Sequence, residues 1–201
     1  GYVGDRESAD VLVDALSKLE YRGYDSAGIA VFDHGNIKVK KCKGRLANLV
    51  EKMDEEGKPQ GHVGIGHTRW ATHGEPSDIN SHPHGNKRVT IVHNGIIENY
   101  KKLKDFLIGE GYSFASETDT EVAAKLLDYY YDGDPMKTIA KVLSEIKGSY
   151  ALGIMFRDFP DEIFAVRKDS PLIVGVGEHE NFIASDVPAI LKYTRNVYYI
   201  G

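Results

Sequence analysis

The sequence predicts a layered α+β fold, and the order of its segments carries that prediction. Three helix-like segments follow one another between residues 99 and 146, and four strand-like segments follow one another between residues 150 and 184. Grouped helices beside strands in mixed order favour separate layers over a doubly wound parallel sheet. A chain of 201 residues suits one domain that buries its own core.

Hydrophobic periodicity divides the first half of the chain into strands and two helices. Residues 8–19 have apolar side chains at helical spacing. Residues 33–36, Asp-His-Gly-Asn, form the turn of a hairpin. The predicted segments are a helix at 46–53 and strands at 1–3, 28–32, 37–41, 63–68 and 89–93.

The second half begins with the grouped helices. The first of them places Leu103, Phe106 and Leu107 on one stripe. The predicted helices are 99–109, 120–131, 136–146 and 187–193, and the predicted strands are 150–156, 162–166, 172–176, 181–184 and 197–200. Residues 69–88 remain as a long loop, which in a compact domain is typical of a functional segment.

The composition of the sequence argues against two classes of function, nucleic-acid binding and membrane insertion. The net charge of −5, with both signs interspersed, argues against a nucleic-acid interface, and the basic stretch 38–45 is interpreted as a solvated face. No apolar run reaches the roughly 18 residues of a membrane helix. A single cysteine, Cys42, and no secretion signal indicate a cytoplasmic protein.

Motifs for the commonest cofactors are missing from the sequence. Gly64-Ile65-Gly66 is not followed by the third glycine of a dinucleotide loop, and no Gly-Lys-Ser/Thr phosphate loop or Gly-x-Ser-x-Gly elbow occurs. We therefore expect no cofactor. Five of the eight histidines fall between residues 67 and 93. Their spacing fits no standard zinc site, so the alternatives are a metal-dependent hydrolase and, favoured, histidines that hold the loop rigid.

Four residues suggest recognition of an amino acid whose side-chain carbonyl is attacked. Arg69 is suited to grip a carboxylate, and Asp119 either binds an ammonium or caps the following helix. Asn94 and Gly95 follow a buried strand, where an amide and a glycine N–H supply the two donors of an oxyanion hole, although Asn-Gly also forms plain turns. The nucleophile is missing, since nothing places Cys42 near these residues.

Four stretches identify a resemblance that runs over essentially the whole chain. They are residues 21–28, 67–76, 93–99 and 116–121. In this order and spacing they closely resemble the glutaminase domains of glutamine–fructose-6-phosphate aminotransferases. The phosphoribosyl-pyrophosphate amidotransferases rank second, because they have Gln in place of Tyr24 and lack the Trp-Ala-Thr-His run of residues 70–73.

The resemblance implies a four-layer αββα sandwich of the N-terminal-nucleophile hydrolase type. An N-terminal cysteine attacks the glutamine amide, with its own α-amino group as base. Arg69 would bind the glutamine α-carboxylate and Asp119 its α-ammonium, and Asn94 and Gly95 would form the oxyanion hole. A loop with Trp70, Thr72 and His73 would close over glutamine. Supporting roles are implied for Arg22, His67, His82 and His93, with no metal.

The same resemblance places residues 1–201 as a single glutaminase domain truncated at both ends. The nucleophilic cysteine would lie about four residues before Gly1, in a segment such as Cys-Gly-Ile-Val. A sugar-isomerase domain, which binds fructose 6-phosphate and receives the ammonia, would follow. We expect a homodimer at full length and neither nucleic-acid nor membrane partners. The remaining alternative is a non-catalytic glutamine-binding module.

Overall fold

The computed structural model describes residues 1–71 and 74–201, which contain two antiparallel sheets and two groups of helices. The α-helices are α1 (Ser8–Ser17), α2 (Leu46–Glu56), α3 (Tyr100–Gly109), α4 (Asp119–Tyr130) and α5 (Pro135–Leu143). Single 3₁₀ turns lie at Glu20–Arg22 and Val187–Ala189. Within these described ranges no helix combines the length and the apolar character needed to span a bilayer.

The strands form a seven-stranded and a four-stranded sheet. Their bounds are β1 (Tyr2–Val3), β2 (Ser26–Asp33), β3 (Asn36–Lys43), β4 (Val63–Arg69), β5 (His84–Gly85), β6 (Val89–Ile97), β7 (Gly148–Phe156), β8 (Phe164–Lys168), β9 (Ile173–Gly177), β10 (Glu180–Ala184) and β11 (Val197–Tyr199). The larger sheet has the order β11-β9-β10-β1-β4-β2-β3 and the smaller β5-β6-β7-β8.

Side-chain alternation along β2 shows how the layers stack. Ala27, Ile29 and Val31 pack with α1 and α2 on one side of the larger sheet, whereas Ala30 and Phe32 pack against the smaller sheet. A third cluster joins the outer face of the smaller sheet to α3, α4 and α5. The layers are therefore helices, sheet, sheet, helices, which confirms the predicted αββα sandwich.

Most predicted elements are present, with four corrections. The strand predicted at 89–93 continues to Ile97, and the predicted helix 187–193 is a 3₁₀ turn at Val187–Ala189. The 69–88 loop contains β5, which pairs with β6. The basic face at 38–45 is not wholly solvated, because the half-buried Lys41 Nζ donates to the carbonyl oxygens of Ser81 and Pro83 at 2.8 and 3.0 Å.

The loop around His82 lies close against β2, which is possible because Gly28 has no side chain. A Cβ on Gly28 would overlap the backbone carbonyl oxygen of His82. Desolvation by burial lowers the pKa of Lys41 to about 8, yet its ammonium anchors the same loop from β3. Residues 81–83 are therefore held in place although they belong to no strand or helix.

Gly28→Ala should destabilise the fold by about 3 kcal/mol, because the new methyl group must displace backbone rather than a flexible side chain. Urea unfolding of both proteins measures the difference. Gly109→Ala is the matched control, since a Cβ there meets no atom within 4 Å and alanine is favoured in a helix. Equal unfolding free energies for Gly28→Ala and the parent protein would contradict this packing.

Candidate active site

A cavity of about 330 Å³ opens where β4 and β10 of the larger sheet face β6 of the smaller one. One end is apolar and lies beneath α1. The other end is polar and brings together most of the residues that the sequence singled out. Its lining includes Arg22, His67, Arg69, Trp70, His82, His93, Asn94, Gly95 and Asp119.

Strand alternation explains why these polar side chains converge. In β4, Val63 and Ile65 pack toward the smaller sheet, so His67 and Arg69, which follow at a period of two, point the same way. In β6, Val92 packs toward the larger sheet, and Asn94 follows it at the same period. The two strands thus direct a cation, an imidazole and an amide into one space.

Asn94 and Gly95 lie inside a strand rather than at its end. Asn94 is opposite Ala151 and Gly95 opposite Tyr150 in the ladder between β6 and β7. Gly95 has φ +117°, and a Cβ there would overlap the carbonyl oxygen of Ser149. The position therefore requires glycine, and the local distortion of the strand distinguishes it from an ordinary ladder position.

His67 forms the contact that holds the Asn94 side chain. Its Nε2 lies 2.8 Å from Asn94 Oδ1, and its ring stacks on His82 with centroids 4.1 Å apart and an interplanar angle of 13°. Desolvation by burial lowers the pKa of His67 to about 4. The ring is therefore neutral at pH 7, with one nitrogen as donor and the other as acceptor.

The other buried histidines are bonded through threonine hydroxyls of the α4 N-terminus. His93 Nδ1 lies 3.0 Å and His82 Nε2 3.4 Å from Thr120 Oγ1, and His84 Nε2 lies 3.2 Å from Thr118 Oγ1. Burial is the main cause that lowers the pKa values of His82 and His84 well below their usual range. We call these three rings and His67 the histidine cluster, and its members His67, His82 and His84 are neutral supports at pH 7.

Arg69 and Asp119 provide opposite charges in the same cavity. The buried guanidinium of Arg69 donates to the carbonyl oxygens of Gly74 and Glu75 at 3.1 and 3.4 Å. Asp119 is the first residue of α4, and its Oδ2 accepts from the Ile97 N–H at 2.9 Å. The helix cap itself is Thr118, whose hydroxyl accepts from Glu121 N, so the alternative prediction of a capping role for Asp119 is wrong.

Two exposed residues of the cavity lining are Trp70 and Arg22. Trp70 is 57% exposed and meets Tyr24 edge-on with centroids 5.3 Å apart. Arg22 donates to Ser185 Oγ at 2.6 Å and pairs with Asp186 at 3.6 Å. Thr72 and His73, predicted in the same loop, lie outside the described residues.

Cys42 is not among the residues that line this cavity. Its side chain packs among the residues of the outer α1–α2 core, and burial raises the pKa of its thiol. The nearby Lys52 lowers the pKa of this thiol, but desolvation outweighs that effect, so Cys42 is not an activated nucleophile. Within residues 1–71 and 74–201, no three His, Cys, Asp or Glu side chains are arranged to hold a metal ion.

Three residues that shape the site were not predicted from the sequence. Thr120 joins two of the histidines, and Ser170 lies in the cavity wall beside Gly95, with its Oγ 3.1 Å from where a Cβ on Gly95 would stand. Lys41 anchors the loop. None has a local sequence signal, because each acts on a partner distant in the chain.

The larger sheet has an opening beside Gly1 that forms part of the cavity. β1 separates β4 from β10 only at Tyr2 and Val3. Beyond Gly1, β4 continues to Arg69 and β10 to Ala184, and among the described residues no strand lies between them. Gly66, Thr68, Ala184 and Ser185 line this opening.

Comparisons with known proteins agree on one family. A family model described as a glutamine amidotransferase domain matches residues 67–192. The glutamine–fructose-6-phosphate aminotransferase (isomerizing) of Caldanaerobacter subterraneus subsp. tengcongensis is 61% identical over 202 residues, which cover 100% of this chain and 33% of that protein. The Clostridium tetani enzyme of the same name is 59% identical over 98% of this chain and 33% of its own.

The chain spans about a third of the length of these curated relatives. Among solved structures, the glutamine phosphoribosylpyrophosphate amidotransferase from B. subtilis, complexed with ADP and GMP, has a TM-score of 0.83 and 27% identity. That match covers 99% of this chain and 43% of the other. The fold is thus shared with both groups, and the sequence is much nearer to the first.

Proposed function

Because the chain belongs to the glutamine amidotransferase domain family, we propose that its cavity binds L-glutamine and hydrolyses the side-chain amide to glutamate and ammonia. The observation that carries the proposal is the convergence of Arg69, Asp119 and the Asn94–Gly95 pair in one cavity. A cation, an anion and two neutral donors match the carboxylate, the ammonium and the developing oxyanion of glutamine.

The register of β1 in the larger sheet supports a nucleophile on a segment that precedes Gly1. Tyr2 is opposite Gly64 of β4 and Phe182 of β10. If that register continues, the fourth position before Gly1 lies opposite Arg69. It also shares a face with Gly1 and Val3, and Val3 packs toward the smaller sheet. A cysteine there would point to the sheet that carries Asn94.

This cysteine would then supply both the nucleophile, as its thiol, and the general base, as its α-amino group. The amine, with an ordinary pKa near 8, accepts the thiol proton. The thiolate attacks the amide carbon, and the Asn94 Nδ2 and Gly95 N–H groups stabilise the oxyanion. The tetrahedral intermediate collapses with transfer of the proton to the leaving ammonia and leaves a thioester. Water hydrolyses the thioester, which releases glutamate and the thiol.

In the whole protein, we propose that the ammonia is passed to fructose 6-phosphate bound by a second domain, to form glucosamine 6-phosphate. Support comes from the 61% identity to an aminotransferase of that name. Trp70, which lines the cavity, and Tyr24, which packs against Trp70, are both exposed and suit contact with such a domain. A homodimer and a cytoplasmic location, which the sequence analysis led us to expect, are the accompanying proposals.

The decisive experiment extends the chain by Cys-Gly-Ile-Val before Gly1 and compares it with a Ser-Gly-Ile-Val extension, each after removal of the initiator methionine. The cysteine form should hydrolyse glutamine and gain one adduct from 6-diazo-5-oxo-norleucine on the new cysteine. The serine form should do neither. A folded cysteine form without glutaminase activity, or an adduct on Cys42, would overturn the proposal.

Arg69→Ala in the cysteine-extended protein should raise the KM for glutamine by about 10- to 100-fold, because a charge-assisted hydrogen bond contributes about 1.5–3 kcal/mol. Asp119→Ala should act in the same direction through the α-ammonium. Steady-state glutamate release measures both. The control is Arg195→Ala, an exposed arginine outside the cavity lining. A parental KM in Arg69→Ala would remove the guanidinium from the substrate site.

A further inference from the structure

The Asn94 amide can serve an oxyanion only in one of its two orientations. Its Nδ2 group must face the cavity, because a carbonyl oxygen in that place would repel the developing negative charge. Nothing in the strand itself fixes this choice, since the amide can rotate about its terminal torsion by a half turn. The orientation must come from a neighbour that distinguishes oxygen from nitrogen.

We propose that His67 is a positioning residue that fixes the Asn94 amide with Nδ2 toward the cavity. This inference rests on the proposed glutaminase function. In the structure, Oδ1 is the Asn94 atom that faces the ring, at 2.8 Å from Nε2. An amide oxygen only accepts, so this contact requires the proton on Nε2. The Nε2–H tautomer of His67 therefore selects the working orientation of Asn94.

The ring is itself prevented from turning. It is buried between the sheets and lies flat on His82, with ring centroids 4.1 Å apart. The backbone around His82 is held on both sides by Lys41 Nζ, through Ser81 O and Pro83 O. Gly28 lets the His82 carbonyl approach β2. A series of contacts thus connects Lys41 on β3 to the loop at His82, the His82 ring to His67, and His67 to the Asn94 amide.

A histidine in this role acts through Asn94 and not on the substrate. Its removal should lower kcat and leave the KM for glutamine nearly unchanged, since Arg69 and Asp119 bind the amino-acid end. A second consequence is non-additivity: once Asn94 is alanine, there is no amide left to orient. A general loss of structure would instead change kcat, KM and the unfolding temperature together.

The test uses the cysteine-extended protein and four variants: His67→Leu, His67→Gln, Asn94→Ala and the His67→Leu/Asn94→Ala double variant. We expect His67→Leu to lower kcat by about 100-fold, comparable to loss of an oxyanion donor. His67→Gln, whose terminal amide N–H reaches the place of Nε2–H, should recover most of that loss. The double variant should be no slower than Asn94→Ala alone. His62→Leu, at an exposed ring, is the unchanged control.

The outcomes separate the two proposals. Full additivity of the two losses, or no recovery in a folded His67→Gln, overturns the role of His67 while glutamine hydrolysis stands. No activity in the unsubstituted protein overturns the glutaminase proposal and this inference with it. Nitrogen-15 chemical shifts of the His67 ring give an independent answer, because an Nδ1–H tautomer in the folded protein contradicts the orientation and an Nε2–H tautomer supports it.

Discussion

Asn94→Ala should lower the turnover number for glutamine hydrolysis by about 10²–10³, with little change in KM. The reason is that the amide donates most strongly to an oxyanion that exists only at the transition state, and loss of one such donor removes about 2.7–4 kcal/mol of stabilisation. The fold should tolerate the change, because the side chain is only half-buried and the β6–β7 ladder is made by the backbone.

The measurement is glutamate release under saturating glutamine in the cysteine-extended protein. Alkylation by 6-diazo-5-oxo-norleucine checks that the nucleophile and the binding residues remain intact. Asn48→Ala is the matched control: its amide donates to the Lys43 carbonyl oxygen at 3.3 Å on an exposed surface. An Asn94→Ala protein that turns over at the parental rate would place the oxyanion donors elsewhere.

Local patterns were sufficient for helices α1 to α5, the hairpin and the strand cores. Helical spacing predicted α1 and the grouped helices, and the residues of the 33–36 turn predicted the β2–β3 hairpin, in which His34 and Gly35 both adopt positive φ. Boundaries moved where tertiary pairing overrode local signals. Asn94-Gly95 is a turn-forming dipeptide, yet the long β7 strand pairs with it residue by residue.

The order of the sheets could not be read from the sequence, because it depends on pairings between distant residues. β1 lies between β10 and β4, and Tyr2 OH donates to Glu180 Oε1 at 2.8 Å across 178 positions. Neither residue has a local signal for the other. The four-layer arrangement came from the family resemblance, and packing along β2 then explained it.

The charged and polar residues of the candidate site were predictable from the sequence, whereas the residues that hold them in place were not. Arg69, Asp119 and Asn94 follow from what amide chemistry requires, and the structure brings them to one cavity. The supporting bonds could not be foreseen, because Lys41, Thr120 and Gly28 gain their roles only when the loop is packed between the sheets. The roles in catalysis remain predictions for the experiments above.

The free energy of unfolding should fall steeply as the pH drops from 6.5 to 5. Burial lowers the pKa of His67 to about 4 and those of His82 and His84 well below the usual range. Well above pH 6.5 each ring is neutral in both the folded and the unfolded state, so these rings contribute nothing to the pH dependence of stability there. Below 6.5 the unfolded chain takes up protons that the folded protein excludes, and stability is lost.

The expected magnitude is large because three rings titrate in the same window. Each excluded proton changes the unfolding free energy by about 1.4 kcal/mol per pH unit, so three rings give about 4 kcal/mol per unit at full slope and about 5 kcal/mol between pH 7 and pH 5. A domain of this size has about 5–15 kcal/mol in all. Above pH 5, ordinary carboxylates remain mostly ionised, so the histidines dominate.

Urea unfolding at pH 7, 6, 5.5 and 5 measures the slope as a number of protons. His84→Gln should reduce that slope by about one proton, because it replaces a titrating ring that contacts Thr118. His179→Asn is the matched control, since His179 is exposed and asparagine tolerates its positive φ of 58°. If the parent protein takes up fewer than one proton on unfolding between pH 6 and 5, the histidine cluster is already charged or hydrated in the folded state, and the neutral Nε2–H ring inferred for His67 loses its basis.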